Sequence, residues 1–120
     1  MTRAIRGAVQ LSANSSAAMT AGVTRLLREV MARNDLEESD LVSVIFSQTE
    51  DLDSENPARC ARTVGFGEVP LFCTQEPRYP NSLPLVVRVL ITAEREEWSG
   101  PARAVYLDGA ERLRPDLVSD

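Results

Sequence analysis

The sequence predicts an α/β fold of the α+β type, with a mixed five-stranded sheet, one long helix and one short helix. Five short segments are rich in β-branched and other apolar residues, which is typical of strands. One longer segment repeats its apolar residues at helical spacing, and one short segment begins with Asn-Pro, a pair typical of a helix start. A chain of 120 residues, of which 43% are hydrophobic, can bury one core. We therefore expect a single domain over 1–120, in which 115–120 form a flexible tail.

The first half of the chain predicts a strand, a long helix and a second strand. In 4–11 the apolar residues indicate the first strand, although Arg6 lies within it and Gly7 allows a bend or a close backbone approach. In 17–34 the apolar residues fall on one helical face, so we expect an amphipathic helix that packs on the sheet. The run LVSVIFS at 41–47 predicts a second, largely buried strand.

A short helix is predicted after a polar, acidic loop. Asn56 can cap this helix, Pro57 suits its first turn, and two glycines stop it near Val64. Arg59 and Arg62 lie three residues apart and share one face of the helix. On a lone helix, such a face is usually solvated.

Three further strands are predicted at 70–75, 85–92 and 102–107, followed by a turn or short helix at 108–114. Alternation in the third strand places Thr74 and Glu76 on one face and Cys73 on the other. Cys73 and Glu76 can therefore face one site only if the strand bends or ends at Glu76, which Pro77 favours. The fourth strand is an apolar run with Arg88 in its middle.

Two helices cannot cover both faces of a five-stranded sheet. One face would remain open to solvent or would pack on another copy of the chain. We therefore expect a small closed oligomer.

The composition excludes several classes of function. A net charge of −5 and a pI near 4.8 argue against nucleic acid or an anionic membrane surface as a partner. Histidine is absent and all 13 basic residues are arginine, which excludes a histidine base, a histidine metal ligand and a lysine Schiff base. The sequence has no apolar leader or membrane-length segment, and two cysteines are too few for a disulfide framework. We expect a cytoplasmic protein.

Arg88 requires an anionic partner, because a guanidinium in the middle of an apolar strand is costly to bury alone. The partner is either Glu76, in a simple buried ion pair, or a bound ligand. From the residues alone, both alternatives stay open.

A series of short motifs runs through the chain in order: IRGA, SxTxDL, PARxxR, PLFCTQE, RVLIT, VYL and LRPDL. With these motifs in register over nearly its whole length, the chain resembles the small monofunctional chorismate mutases, which form a trimeric pseudo-α/β barrel. The resemblance implies a homotrimer that converts chorismate to prephenate in clefts between neighbouring subunits. It also implies that no metal or other cofactor takes part.

The resemblance implies site residues on two neighbouring subunits. One subunit would supply the catalytic residues Arg6, Cys73, Glu76 and Arg88, together with Tyr106. The next subunit would supply Ala58, Arg59 and Arg62 from the short helix. Phe72 and Thr74 would line the pocket, and Leu113 and Arg114 would close over it from the tail. Asn56 departs from the family pattern, in which an aromatic residue can stand at this position, and makes the rim of the pocket more polar.

The implied reaction is a pericyclic rearrangement, which needs a compact substrate conformer and charge matching in the transition state. Arg6, assisted by Tyr106, would bind the side-chain carboxylate of the dianionic substrate. Arg88 would stabilise negative charge on the ether oxygen, Glu76 would accept a hydrogen bond from the ring hydroxyl, and Cys73 would contact that hydroxyl as a neutral thiol. We therefore expect Glu76 and Arg88 to form opposite walls of one slot, held apart by the strands.

Two alternative functions remain open at this stage. A small trimeric Rid-type imine deaminase would also use an arginine at a subunit cleft. A non-catalytic trimeric module could bind a small carboxylate in the same place. The in-register motifs PLFCTQE and LRPDL favour the mutase over the deaminase.

Overall fold

A single mixed sheet carries two helices on one side in residues 1–117, the part of the chain that the structure, a computed structural model, describes. The strands are β1 (Thr2–Gln10), β2 (Leu41–Gln48), β3 (Leu71–Gln75), β4 (Val86–Glu94) and β5 (Val105–Leu107). The helices are α1 (Ser16–Arg33) and α2 (Pro57–Thr63), with short 3₁₀ helices at Glu38–Asp40, Ala110–Leu113 and Pro115–Leu117. Residues 118–120, the end of the tail predicted at 115–120, lie outside the described residues.

The strand order in the sheet is β3-β2-β4-β1-β5. The central strand β4 runs antiparallel to both β2 and β1, whereas the outer pairs β2–β3 and β1–β5 are parallel. The prediction of a mixed five-stranded sheet with one long and one short helix is therefore confirmed. Within the described residues, none of the helices combines the length and apolar character needed to cross a membrane.

The predicted boundaries of β1 and β5 are wrong. The first strand begins earlier, because Thr2 pairs with Glu94 at the polar end of β4. The last strand begins later, at Val105, because a side chain binds the preceding backbone. The buried Asn34 accepts a hydrogen bond from the Arg103 N–H (2.7 Å) and donates one to the Arg103 carbonyl (3.0 Å). These backbone groups are thus satisfied without a strand partner.

The core lies between the helices and one face of the sheet. The residues that α1 buries there are Met19, Val23, Leu26, Leu27 and Val30. A β-carbon at Gly7 of β1 would lie 3.2 Å from side-chain atoms of Leu26 and Val30, so glycine permits the close approach of α1. As predicted, α2 begins at Pro57 with Asn56 as its cap, whose Oδ1 accepts a hydrogen bond from the Ala58 N–H at 2.8 Å.

The opposite side of the sheet, which we call the outer face, is largely uncovered. Phe72, Ile45 and Leu90 expose 64%, 40% and 42% of their surfaces there. One end of this face is covered by a small cluster in which Ala8, Val86 and Ala110 are buried, with Leu83, Tyr106 and Leu113 packed around them. The remaining apolar surface has no cover within residues 1–117, in line with the expected association of copies.

Candidate active site

A row of side chains crosses the outer face at the level of Arg88. The strand register places Arg88 between Ser47 on β2 and Ala8 on β1. Thr74 continues the row on β3, and Tyr106 continues it on β5. Because side chains in one register row point to the same face of a sheet, these residues share the outer face.

The next row of the outer face contains two further residues that the sequence singled out. Arg6 on β1 lies opposite Leu90 on β4, and Phe72 on β3 lies opposite Ile45 on β2. Arg6 is exposed, and no carboxylate of the described residues lies within ion-pair distance of it. The structure therefore brings Arg6, Arg88 and Tyr106 onto one surface, and within residues 1–117 no ion pair neutralises the charge of Arg6.

Arg88 and Glu76 contact each other directly. The Nε atom of Arg88 lies 2.7 Å from Oε1 of Glu76, and the Ser47 hydroxyl donates a hydrogen bond of 2.6 Å to the same oxygen. The expectation that the strands hold the two side chains apart as walls of a slot is therefore wrong for this structure. Glu76 directly follows the last residue of β3, and its N–H still donates a hydrogen bond of 2.8 Å to the Gln48 carbonyl, so its side chain keeps the face that the strand alternation gives it.

This ion pair is not buried. Arg88 exposes 44% of its side chain and Glu76 exposes 21%. An ion pair this exposed contributes at most about 1 kcal/mol, so a bound anion can replace it at small cost. Within residues 1–117, the Arg88 guanidinium donates no aligned hydrogen bond, and Oε2 of Glu76 accepts none. Both groups keep their capacity to bind a ligand.

Cys73 lies on the other side of the sheet. It pairs with Phe46, a fully buried core residue, and its Sγ donates a hydrogen bond of 3.5 Å to Oε1 of Gln48. Partial burial raises the pKa of the Cys73 thiol, so the thiol is protonated at neutral pH. The structure does not bring Cys73 together with Glu76 and Arg88 within one protomer. This placement follows from the strand alternation.

The short helix α2 also lies on the side away from Arg88. Ala58 is buried in the core, whereas Arg59 and Arg62 are exposed and have no ion-pair partner among residues 1–117. Beside the start of α2, a cleft of about 450 Å³ opens at the β3 edge of the sheet. Its lining consists of Gln48, Asp53, Ser54, Glu55, Asn56, Cys73, Thr74 and Gln75. Cys73 and the beginning of α2 therefore belong to one edge of the protomer.

The C-terminal segment approaches the outer face from the β5 side. Leu113 packs with Tyr106 around Ala8, and Arg114 binds Asp116 through two hydrogen bonds of 3.0 and 2.8 Å. The hydrogen bonds from Arg114 lower the pKa of the Asp116 carboxyl, and the positive charge of Arg6 lowers it further. These residues thus lie at the rim of the surface that carries Arg6.

Ser47, which contacts Glu76, is a residue of this surface that the sequence analysis did not single out. Its position in the SxTxDL motif and its outward place in the alternating run LVSVIFSQ are the signals that indicate it. The described residues contain no group of three or more carboxylate or cysteine side chains that could hold a metal ion.

Comparison with known proteins gives one consistent result. The family model described as "Chorismate mutase type I" matches residues 2–117. The chain is 40% identical over 120 residues to a protein of Thermus thermophilus named "Chorismate mutase AroH", with 99% of this chain and 98% of that protein covered. It is 31% identical over 118 residues to "Chorismate mutase AroH" of Bacillus subtilis (strain 168), with coverages of 98% and 93%.

A solved structure is similar over nearly the same span. It is the chorismate mutase from Clostridium thermocellum (Cth-682), which superposes with a TM-score of 0.87 at 38% sequence identity. The match covers 92% of this chain and 99% of that chain. Sequence and fold thus point to the same group of proteins over almost the entire length.

Proposed function

The chain belongs to the chorismate mutase type I family, and we propose that it rearranges chorismate to prephenate at the outer face of the sheet. As a chorismate mutase it is an isomerase of aromatic amino acid biosynthesis. The observation that carries the proposed location is Arg88, a half-exposed guanidinium on the outer face that donates no aligned hydrogen bond within residues 1–117. The imine deaminase and the non-catalytic module are not favoured. The two free cysteines fit the proposed cytoplasmic location.

Arg88 is proposed to stabilise the transition state. As the C–O bond of the substrate breaks, negative charge grows on the ether oxygen, and a fixed guanidinium interacts more strongly with this oxygen than with the ground-state ether. Turning Arg88 from Glu76 to the substrate breaks only an exposed contact. The rearrangement itself needs no proton transfer, so the absence of histidine and lysine is no obstacle.

Arg6 and Tyr106 are proposed to hold the side-chain carboxylate of chorismate. They lie on the neighbouring strands β1 and β5 in adjacent rows of the outer face. The guanidinium fork of Arg6 suits a carboxylate, and a phenolic hydroxyl can add a further hydrogen bond. Glu76 is proposed to accept the hydrogen bond of the ring hydroxyl through Oε2. These contacts together would hold the substrate in its compact conformer.

The active enzyme is proposed to be a homotrimer, in which the outer face of one subunit meets the β3 edge and α2 of the next. The exposed apolar side chains of the outer face support this arrangement. A heterologous contact of two different surfaces closes into a ring when the rotation permits it. Arg59 and Arg62 would then reach the second carboxylate of chorismate from the neighbouring subunit.

In this arrangement each site takes Cys73 and α2 from the same subunit, and that subunit is the neighbour of the one that supplies Arg88. Cys73 lines the same cleft as Asn56, at the edge of the protomer from which Arg59 extends. Phe72 and Thr74 of the β3 edge would line the pocket beside it, with Ala58 behind them. Leu113 and Arg114, at the rim near Tyr106, are proposed to close the pocket.

The direct test is the turnover of chorismate by the purified chain. We expect loss of chorismate absorbance with formation of prephenate, and a mass in solution of about 40 kDa, which corresponds to three chains of 13.2 kDa. Binding of chorismate without turnover would instead identify a non-catalytic module. Ammonia release from an imino acid would identify a deaminase.

Cys73→Ser is expected to retain most of the activity, with kcat/KM within about fivefold of the wild type. The thiol is protonated at neutral pH, and a serine hydroxyl can replace it as a hydrogen-bond donor to Gln48. Steady-state kinetics of Cys73→Ser and Cys73→Ala measure this. Complete inactivation of the serine variant would show that the thiol takes part in the chemistry.

A further inference from the structure

Ser47 donates a hydrogen bond to the carboxylate of Glu76 from a strand in the interior of the sheet. Its Oγ lies 2.6 Å from Oε1 of Glu76. The strand that carries Ser47 is paired on both sides, opposite Thr74 on β3 and Arg88 on β4. Glu76 follows the last residue of β3, and its N–H donates a hydrogen bond of 2.8 Å to the Gln48 carbonyl of β2. Both backbones are therefore held by the hydrogen bonds of β2, and the Ser47 hydroxyl sets the direction of the Glu76 carboxylate.

Arg88 contacts the same oxygen in a different way. Its Nε is 2.7 Å from Oε1 of Glu76, but the contact lacks the alignment of a hydrogen bond. When Arg88 turns toward the ether oxygen of a substrate, Glu76 loses this contact. Ser47 then remains the side-chain donor to Glu76 among the described residues. Oε2 accepts no hydrogen bond within residues 1–117 and is available to the hydroxyl of the substrate.

We propose that Ser47 is a positioning residue, whose hydroxyl fixes the rotamer of Glu76 so that Oε2 faces the ring hydroxyl of chorismate. This inference rests on the proposed function, because Ser47 acts only through Glu76. A carboxylate that is already oriented loses less conformational freedom when the substrate binds. The same hydrogen bond coexists with the Arg88 contact in the structure, so it can persist when the substrate engages that guanidinium.

Ser47→Ala is expected to lower kcat/KM for chorismate on the order of tenfold, the size of one hydrogen bond to a charged group. Ser47→Thr keeps a hydroxyl and suits a strand, so it should recover most of this loss. Glu76→Ala should lower kcat/KM on the order of a hundredfold. Adding Ser47→Ala to Glu76→Ala should lower it no further, since the hydroxyl then has no carboxylate to position.

Ser43 provides the matched control. It lies on the same face of β2, opposite Thr92, and its hydroxyl makes no side-chain hydrogen bond within residues 1–117. Ser43→Ala should keep the kcat/KM of the wild type, and thermal unfolding of every variant reports its folding.

Several outcomes would overturn the inference. If Ser47→Ala has the kcat/KM of the wild type while Glu76→Ala has a lowered one, the role of Ser47 is refuted and that of Glu76 is not. If the losses of the two substitutions add in the double variant, Ser47 does not act through Glu76. If Glu76→Ala turns over chorismate like the wild type, the proposed role of Glu76 fails together with that of Ser47. Equal losses in Ser43→Ala and Ser47→Ala would indicate a general effect on β2.

Discussion

Arg88→Ala is expected to abolish chorismate turnover, with kcat lowered by about 10³-fold, while the protein keeps its fold and its mass in solution. The loss is large because the substitution removes the cation that faces the ether oxygen, where charge develops only in the transition state. The fold should survive because Arg88 is half-exposed and its ion pair with Glu76 contributes at most about 1 kcal/mol. Single-turnover kinetics, circular dichroism and the mass in solution measure these effects.

Two further variants sharpen this prediction. Arg88→Lys should recover only part of the loss, because an ammonium has the charge but not the planar fork of a guanidinium. Arg28→Ala is the matched control, since Arg28 is exposed on α1, on the other side of the sheet, and makes no ion pair within the described residues. A near-normal kcat for Arg88→Ala would refute the electrostatic role. A lowered melting temperature with unchanged kcat would indicate that Arg88 serves only as the ion-pair partner of Glu76.

The faces of the site residues on β3 were predictable from the sequence. Side chains of a strand alternate between its two faces, and this rule alone separates Cys73 from Thr74 and Glu76. The structure keeps this separation, so no bend of β3 brings Cys73 to the outer face. The Asn56 cap of α2 was equally predictable, because a side-chain cap depends on residues close in sequence.

The neighbours of each site residue were not predictable from the sequence. Ser47, Glu76 and Arg88 come from three different strands, and their contact depends on the lateral register of β2, β3 and β4. Alternation defines a face but not which residues meet across strands. For this reason the residues alone left open whether Glu76 or a ligand meets Arg88, and the slot between them was expected only from the family resemblance. The structure shows the ion pair, with a serine beside it.

The proposed division of the site between subunits leads to the second large effect, which we expect in mixed trimers. Arg88→Ala carries its defect on the outer face, and the double variant Arg59→Ala/Arg62→Ala carries its defect on α2. The homotrimer of each variant should be nearly inactive. In the Arg59→Ala/Arg62→Ala homotrimer, the loss of two charge-assisted contacts to a carboxylate should lower kcat/KM by about a hundredfold. When the two variants are unfolded together and refolded, roughly a quarter of the sites should combine an intact outer face with an intact α2.

Recovery of about a quarter of the wild-type activity in this mixture would therefore mean that one site draws on two chains. The control mixture combines Arg88→Ala with Glu76→Ala, whose defects both lie on the outer face. Every outer face in that mixture is defective, so no activity should return. If instead one chain supplied both Arg88 and the α2 arginines to the same site, every site in the first mixture would carry a defect as well. The first mixture would then stay as inactive as the control, although α2 and Arg88 lie on opposite sides of the protomer.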